Sequence, residues 1–382
     1  MSRPELPPGA DGTPATARGA GPAHAADRSA GPTPAMPAIP RVDPLAVRRA
    51  LREAGTRPKK SLSQNFLVDT DVLDAILAAA APRPGRRVLE VGPGLGVLTA
   101  ALVDAGAAVT AVELDERLAR RLRGALAGAI ARGERDPGSP GSLRLIEASI
   151  LDVEIAEVVA APYDVVANLP YHITSPVLHR FLGQEPRPDR CVLMVQREVA
   201  ERVAAPPGRM SYLSVFAQYH AAAAVARVVP PMAFEPAPSV ESAILVLDVR
   251  PADDLGRLPP AEEEDFWRLV QASFRERRKM LHNVLVRQLR VPAGRIDAAL
   301  ATTGIDPDRR PQTLSVAEWL ALRAALGPLD ADRRGRRAES DGARRDDTGD
   351  DVPDDEQAVA GDPHDEEAGA GDRGDAEPGA AR

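Results

Sequence analysis

The chain has 382 residues, of which 44% are hydrophobic and 27% charged, a soluble-protein composition long enough for two domains plus extensions. No apolar run approaches the ~20 residues needed to cross a bilayer, and no apolar segment follows a basic start, so neither a membrane span nor a secretory signal is expected. The single cysteine, Cys191, excludes an internal disulfide and a cysteine zinc cluster and fits a reducing cytoplasm.

The net charge of −8 is unevenly distributed. Residues 1–40 balance three Arg against three acids, while residues 330–382 carry 8 Arg against 18 acids. The segment between them has 37 basic and 35 acidic residues and a net charge of +2, which leaves room for a local basic face. Both ends lack the large apolar residues a core requires. They are expected to be disordered: a Pro/Ala/Gly-rich extension over 1–41, where Met36 offers a second start, and an acidic tail over 329–382.

Ordered sequence is expected from Val42, with a short helix over Pro44 to Ala54 and a basic stretch containing Arg57, Lys59 and Lys60. The spacing of Val72, Leu73, Ile76 and Leu77 predicts a helix over Asp69 to Ala81, which Pro82, Pro84 and Gly85 end. A strand–helix alternation follows. Strands are predicted at Arg87 to Val91, Ala108 to Glu113, Leu143 to Ile146, Asp164 to Ala167, Cys191 to Gln196 and Val240 to Val249. Helices are predicted at Leu98 to Ala105, Asp115 to Ala131 and Thr174 to Leu182, with a polar loop over Gly133 to Ser142. Such alternation implies an α/β fold with an open, mostly parallel sheet covered on both faces, which binds ligands beyond the carboxyl ends of its strands. After Pro251 only helices are predicted: Glu262 to Phe274, Met280 to Arg290, Arg295 to Thr302 and Val316 to Leu326. The expected organisation is a catalytic α/β domain over 42–251 and a small all-α domain over 252–328.

Glu90-Val91-Gly92-Pro93-Gly94-Leu95-Gly96 follows a strand and opens a helix, where glycines let a cofactor approach the backbone. A nicotinamide dinucleotide is the obvious occupant, but Gly96 comes too early for G-x-G-x-x-G and Glu90 sets an acid where a pyrophosphate would lie. S-adenosylmethionine has no phosphate and carries a cationic amine and sulfonium, which tolerate that acid. Glu113 ends the next strand, where a carboxylate can accept both ribose hydroxyls.

Asn168-Leu169-Pro170-Tyr171 follows another apolar strand. An exocyclic adenine amine is a poor nucleophile because its lone pair is delocalised into the ring. It needs acceptors that take its hydrogens and draw the nitrogen toward tetrahedral geometry. The Asn168 side-chain oxygen and the Leu169 carbonyl can serve, Pro170 fixes the turn, and Tyr171 offers a face to a flipped base. His172 reads as a neighbour, because the chemistry demands no base, and no two histidines have metal-ligand spacing.

Taken in order, Ser63-Gln64-Asn65-Phe66-Leu67, the glycine loop, Glu113, Asn168 to Tyr171 and Phe234-Glu235-Pro236-Ala237-Pro238-Ser239-Val240 resemble the ribosomal RNA adenine N6-dimethyltransferases. Gln196 to Arg202 and Phe274 to Leu281 are similar to the KsgA branch, which modifies small-subunit RNA, more than to the Erm methylases of the large subunit. The resemblance spans about residues 57–326. It implies a Rossmann-like S-adenosylmethionine-dependent methyltransferase sheet with a small helical domain, acting on two adjacent adenosines near the 3′ end of 16S rRNA in a 30S precursor, without membrane or metal. It also implies that Asn65, Leu67, Gly92, Glu113 and Asn168 hold the cofactor and that Phe234 packs on the target base opposite Tyr171. Where the family has an Asp after the third strand, this chain has Ser149, with Asp152 three residues on. Lys59, Lys60 and the cluster Arg275, Arg277, Arg278 and Lys279 are the expected RNA-facing charges. Two other readings remain open: an Erm-type large-subunit methylase, and a catalytically silent ribosome-assembly factor.

Overall fold

A computed structural model describes residues 38–40, 42–59, 62, 64–251 and 258–329. The expected extensions over 1–37 and 330–382, and Lys60, lie outside the described residues. In chain order the elements begin with α1 (Pro44–Glu53), β1 (Phe66–Leu67), α2 (Thr70–Ala80), β2 (Arg87–Val91), α3 (Val97–Asp104) and β3 (Ala108–Glu113). They continue with α4 (Glu116–Ala125), α5 (Ala127–Arg135), β4 (Leu143–Glu147), α6 (Ile155–Val158), β5 (Tyr163–Asn168), α7 (Thr174–Gly183) and β6 (Arg190–Gln196). Then come α8 (Arg197–Val203), α9 (Tyr212–His220), β7 (Ala221–Val229), β8 (Phe234–Glu235) and β9 (Ser242–Val249). Four helices close the described chain: α10 (Pro260–Phe274), α11 (Leu281–Gln288), α12 (Ala293–Thr303) and α13 (Val316–Leu326).

Seven strands form one sheet in the order β4-β3-β2-β5-β6-β9-β7. The five strands from β4 to β6 are parallel, while β9 runs antiparallel to β6 and β7. Both faces are covered, so the central strands read as unbroken apolar runs whose alternate residues enter different cores. Leu89, Val91, Val165, Ala167, Leu193 and Leu245 face one core, packed by α7, α8 and α9. Val88, Val109, Val166, Val192, Met194 and Ile244 face the other, packed by α2 and α3. A third core joins α10 to α13 and also takes Met210, Val215 and Tyr219 from the segment around α9. The helices after Pro251 therefore share apolar side chains with the sheet-covering layer. Tyr219 stacks on Phe266 with ring centroids 5.1 Å apart.

Several elements differ from expectation. The single helix over Asp115 to Ala131 is two, broken at Leu126 (φ −116°, ψ 27°), and α5 runs through the predicted loop as far as Arg135. Gly133 allows this helix to lie on β4, because a Cβ there would stand 2.7 Å from the Leu143 carbonyl oxygen. Ala221–Val229 is an edge strand that alanine-rich sequence disguises, since pairing with β9 overrides local preference. Helices α8 and α9 and the two-residue strands β1 and β8 are likewise absent from the sequence reading. Order also reaches further back than Val42. The Ala38 carbonyl accepts from Arg121 Nη2 at 2.6 Å, and Ile39 packs against the helix α3 start at Gly96, so this apolar end of the extension is anchored.

Candidate cofactor and catalytic site

Strand order reverses direction between β2 and β5, and the crevice beyond their carboxyl ends is where an open α/β sheet binds ligands. β2 runs into the glycine loop there and β5 runs into Asn168–Tyr171. A cavity of about 1230 Å³, its open mouth included, lies between them. It is lined by Glu90, Gly92, Gly94, Glu113, Ser149 and Asn168, and by Asn65 and Leu67 from the N-terminal side. Leu169, Pro170, Tyr171 and His172 also border it. Segments far apart in the sequence thus meet in one place, because a parallel sheet brings successive strand ends to one edge.

Gly92, Gly94 and Gly96 all have positive φ, and at the last two a Cβ would also crowd a neighbour. Gly94 has φ 59°, and a Cβ there would press on Phe66 at 3.2 Å. Gly96 has φ 84°, and a Cβ there would lie 2.3 Å from Leu122 Cδ1. Gly94 lets β1 close over the loop, and Gly96 lets α3 begin against α4.

Glu113 is 5% exposed. Its Oε2 accepts from Gly94 N–H at 2.9 Å and its Oε1 from Asp115 N–H at 2.8 Å. Burial pushes its carboxyl up from the ordinary range, and the backbone N–H groups hold it back. A carboxylate has about four acceptor positions, so this one is aimed by the backbone and still able to bind. Glu90 is more deeply buried, at 1% exposure, and its Oε2 has no hydrogen-bond partner among the described residues. Burial pushes Glu90 up to about 8, with the charge of Glu113 adding to the effect and Thr99 opposing it.

Asn168 Nδ2 donates to the Asn65 carbonyl at 3.1 Å, which leaves Oδ1 as the free acceptor of the amide. Leu169 N–H donates to the Met194 carbonyl at 3.1 Å, and Pro170 (φ −56°, ψ 130°) turns the chain toward Tyr171. The Tyr171 hydroxyl lies 2.7 Å from Ser242 Oγ, which fixes the ring. Ser149 borders the cavity, its Oγ accepting from Leu151 N–H at 3.2 Å, whereas Asp152 is exposed and outside the lining. Of the two candidates for that position, Ser149 is the one at the cavity.

Two expectations meet a different environment. Phe234 is only 3% exposed and does not line the cavity. It pairs with Leu67 across β1 and β8 and belongs to the core beneath them. Lys59 is not an unpaired surface charge: its Nζ lies 2.7 Å from Asp115. The turn over Arg275 to Lys279, by contrast, surrounds an open depression together with Gln312. Glu276 in that turn is held by Arg287 at 2.7 Å and by Gln288 at 2.9 Å, which leaves Arg277 and Arg278 exposed and without an acidic partner among the described residues. Leu62, Gln64 and the 56% exposed Leu114 also border the cavity, although the sequence reading assigned them no role. Leu114 carries a signal in its position, one residue beyond Glu113. Among the described residues no helix is long and apolar enough to cross a membrane, and no group of His, Cys, Asp and Glu could hold a metal ion.

Comparison with known proteins agrees with this geometry. The profile of the ribosomal RNA adenine dimethylase family matches residues 55–326. The chain is 47% identical to the ribosomal RNA small subunit methyltransferase A of Anaeromyxobacter dehalogenans strain 2CP-C, over 73% of this chain and 97% of that one. It is 41% identical to the protein of the same name from Geobacter sulfurreducens, over 72% and 98%. Among solved structures, the 23S rRNA methyltransferase ErmE superposes with a TM-score of 0.56 at 30% identity, covering 69% of this chain and 99% of ErmE. A dimethyladenosine transferase from Plasmodium falciparum shares the fold, with a TM-score of 0.55 at 22% identity over 67% and 95%. A chain matched over most of its length by this profile, and at such identity by these relatives, belongs to the ribosomal RNA adenine dimethylase family.

Proposed function

We propose that the chain is an S-adenosylmethionine-dependent enzyme that dimethylates the N6 amines of two adjacent adenosines near the 3′ end of 16S rRNA. It does so in the cytoplasm, on a 30S precursor. The observation that carries this reading is the convergence of Glu113, the glycine loop and Asn168–Tyr171 on one cavity, in a chain 47% identical to a small-subunit methyltransferase.

The residues present fit the cofactor. Buried acids repel a pyrophosphate, whereas an ammonium and a sulfonium are attracted to them, and a cation beside Glu90 favours its charged form. Bound there, S-adenosylmethionine supplies an electrophilic methyl group on sulfur. Asn65, Leu67 and Gly92 hold it, and Glu113 accepts from its ribose hydroxyls. Ser149 accepts from its adenine amine through a neutral hydroxyl, without the charge assistance an Asp would give. On the substrate side, Asn168 Oδ1 and the Leu169 carbonyl take the hydrogens of the target amine, and Tyr171 stacks on the flipped base. The proton leaves to water after transfer, so no base of matched pKa is needed. Phe234 acts beneath the site, keeping β8 and hence Leu67 in register.

The test presents unmodified small subunits, large-subunit RNA and DNA side by side and analyses the nucleosides by mass spectrometry. N6-dimethyladenosine is expected from the small subunit alone. Preference for large-subunit RNA would move the chain to the Erm-type activity, and tight subunit binding without product would make it an assembly factor.

Arg275, Arg277, Arg278 and Lys279 contact RNA phosphates, which position the substrate without encoding sequence. Replacing all four by Gln should flatten the log–log salt dependence of subunit binding by about 2–4, one condensed counterion per lost contact, and leave S-adenosylmethionine binding intact. Filter binding over a salt series measures this, and an unchanged slope would place the RNA elsewhere.

A further inference from the structure

Lys59 links two segments that border the cavity, one after β3 and one before β1. Its ammonium reaches Asp115, whose side chain is 2% exposed. Asp115 caps α4, its Oδ1 accepting from Arg117 N–H at 3.0 Å and Leu118 N–H at 3.4 Å. The backbone N–H of the same Asp115 orients Glu113. On its other side, Lys59 closes a turn onto Gln64: its N–H donates to Gln64 Oε1 at 3.0 Å, and its carbonyl accepts from Gln64 N–H at 3.4 Å. Gln64 precedes Asn65, whose carbonyl holds the Asn168 amide. Followed round, Glu113, Asp115, Lys59, Gln64, Asn65 and Asn168 form a connected chain from the end of β3 to the end of β5.

We propose that Lys59 is a positioning residue for cofactor binding: with Asp115 it fastens the Gln64–Leu67 segment across the cavity and sets the spacing between Glu113 and Asn168. This rests on the reading that the cavity takes S-adenosylmethionine. The ammonium is half exposed, but the carboxylate it meets is almost wholly withdrawn from water, so the attraction is screened less than in a surface pair. A phosphate contact would pull Lys59 from that carboxylate and leave a buried charge with only its N–H partners. Arg277 and Arg278 face solvent without that competition.

The experiment compares full-length wild type with Lys59→Met by calorimetric titration of S-adenosylmethionine and by subunit binding over a salt series. The dissociation constant for S-adenosylmethionine should rise about tenfold, the scale of one charge-assisted contact. KM for the cofactor rises with it, the fall in kcat at saturating cofactor is smaller than the rise in KM, and the salt slope of subunit binding does not change. Asp115→Asn, which keeps the acceptor at the helix cap and removes the charge, should give a similar loss and add little on top of Lys59→Met, while Lys59→Arg recovers most of the affinity. Unchanged cofactor affinity in Lys59→Met, or a flatter salt slope of subunit binding, overturns the proposal in favour of a phosphate contact. Failure of the wild type itself to bind S-adenosylmethionine overturns the cofactor reading instead. Should Lys59→Met not fold, the affinities of Asp115→Asn and Lys59→Arg decide the question.

Discussion

Asn168→Ala should lower the single-turnover rate of methyl transfer by about 10²–10³ at saturating cofactor and subunit, the scale of losing one oriented polar group that acts in the transition state. In the proposed mechanism the amine is made nucleophilic by acceptors that take its hydrogens as the nitrogen becomes tetrahedral, and Asn168 Oδ1 is one of the two acceptors proposed. Its orientation is fixed by the donation of Nδ2 to the Asn65 carbonyl. Folding should survive, because truncation removes one partly buried hydrogen bond, a loss of about 1 kcal/mol. Rapid-quench measurement, with circular dichroism as the folding control, checks both halves. A rate close to that of the wild type would show that the amine needs no acceptor from this side chain.

The parts legible in the sequence are those where burial writes an uninterrupted pattern. Strands β2, β3, β5 and β6 are buried on both faces and read as apolar runs, and the glycine loop and Asn168–Tyr171 are local motifs fixed by their own residues. Strand β7 leaves no such trace. As an edge strand it exposes much of one side, and its alanines favour helix until β9 supplies a partner. The break at Leu126 is equally silent, since nothing in Ala125-Leu126-Ala127 forbids helix and the two segments differ only in what they pack against. At the site, residue types were legible but contacts were not. Phe234 in its motif is compatible with a stacking face or a core position, and only the pairing of β8 with β1 shows how deeply it packs in this structure. Lys59 in a basic stretch reads as a phosphate contact, and only the fold shows the distant Asp115 beside it. Both differences come from pairings between segments far apart in the chain, where local spacing carries no information.

Glu90→Gln should change how stability depends on pH more than any other single neutral substitution at this site. The buried Glu90 carboxyl is pushed up from 4.5 to about 8, first by loss of hydration and then by the neighbouring Glu113. Between those two values the folded protein holds a proton that the unfolded chain has released. The stability this proton represents is therefore fully present below pH 4.5 and is lost as the pH rises through about 8. Each pH unit between the two values is worth about 1.36 kcal/mol, so the whole effect is on the order of 5 kcal/mol. Glutamine keeps the shape and cannot ionise, so it lacks this slope. Its amide donor meets the same partnerless position as Glu90 Oε2, at a cost of about 1–3 kcal/mol that does not vary with pH. The variant should therefore be the less stable protein near pH 5 and the more stable one at about pH 8.5, above the value reached by the buried carboxyl. Groups distant from Glu90 are common to both proteins and cancel in the difference between them, whereas Glu113, whose charge acts on Glu90, enters that difference through their coupling. Urea denaturation of the two chains in steps from about pH 5 to about pH 8.5, without cofactor, measures that difference. Parallel stability curves would mean that Glu90 is already ionised in the folded protein at neutral pH, and that the cavity holds a bare carboxylate before any cation arrives.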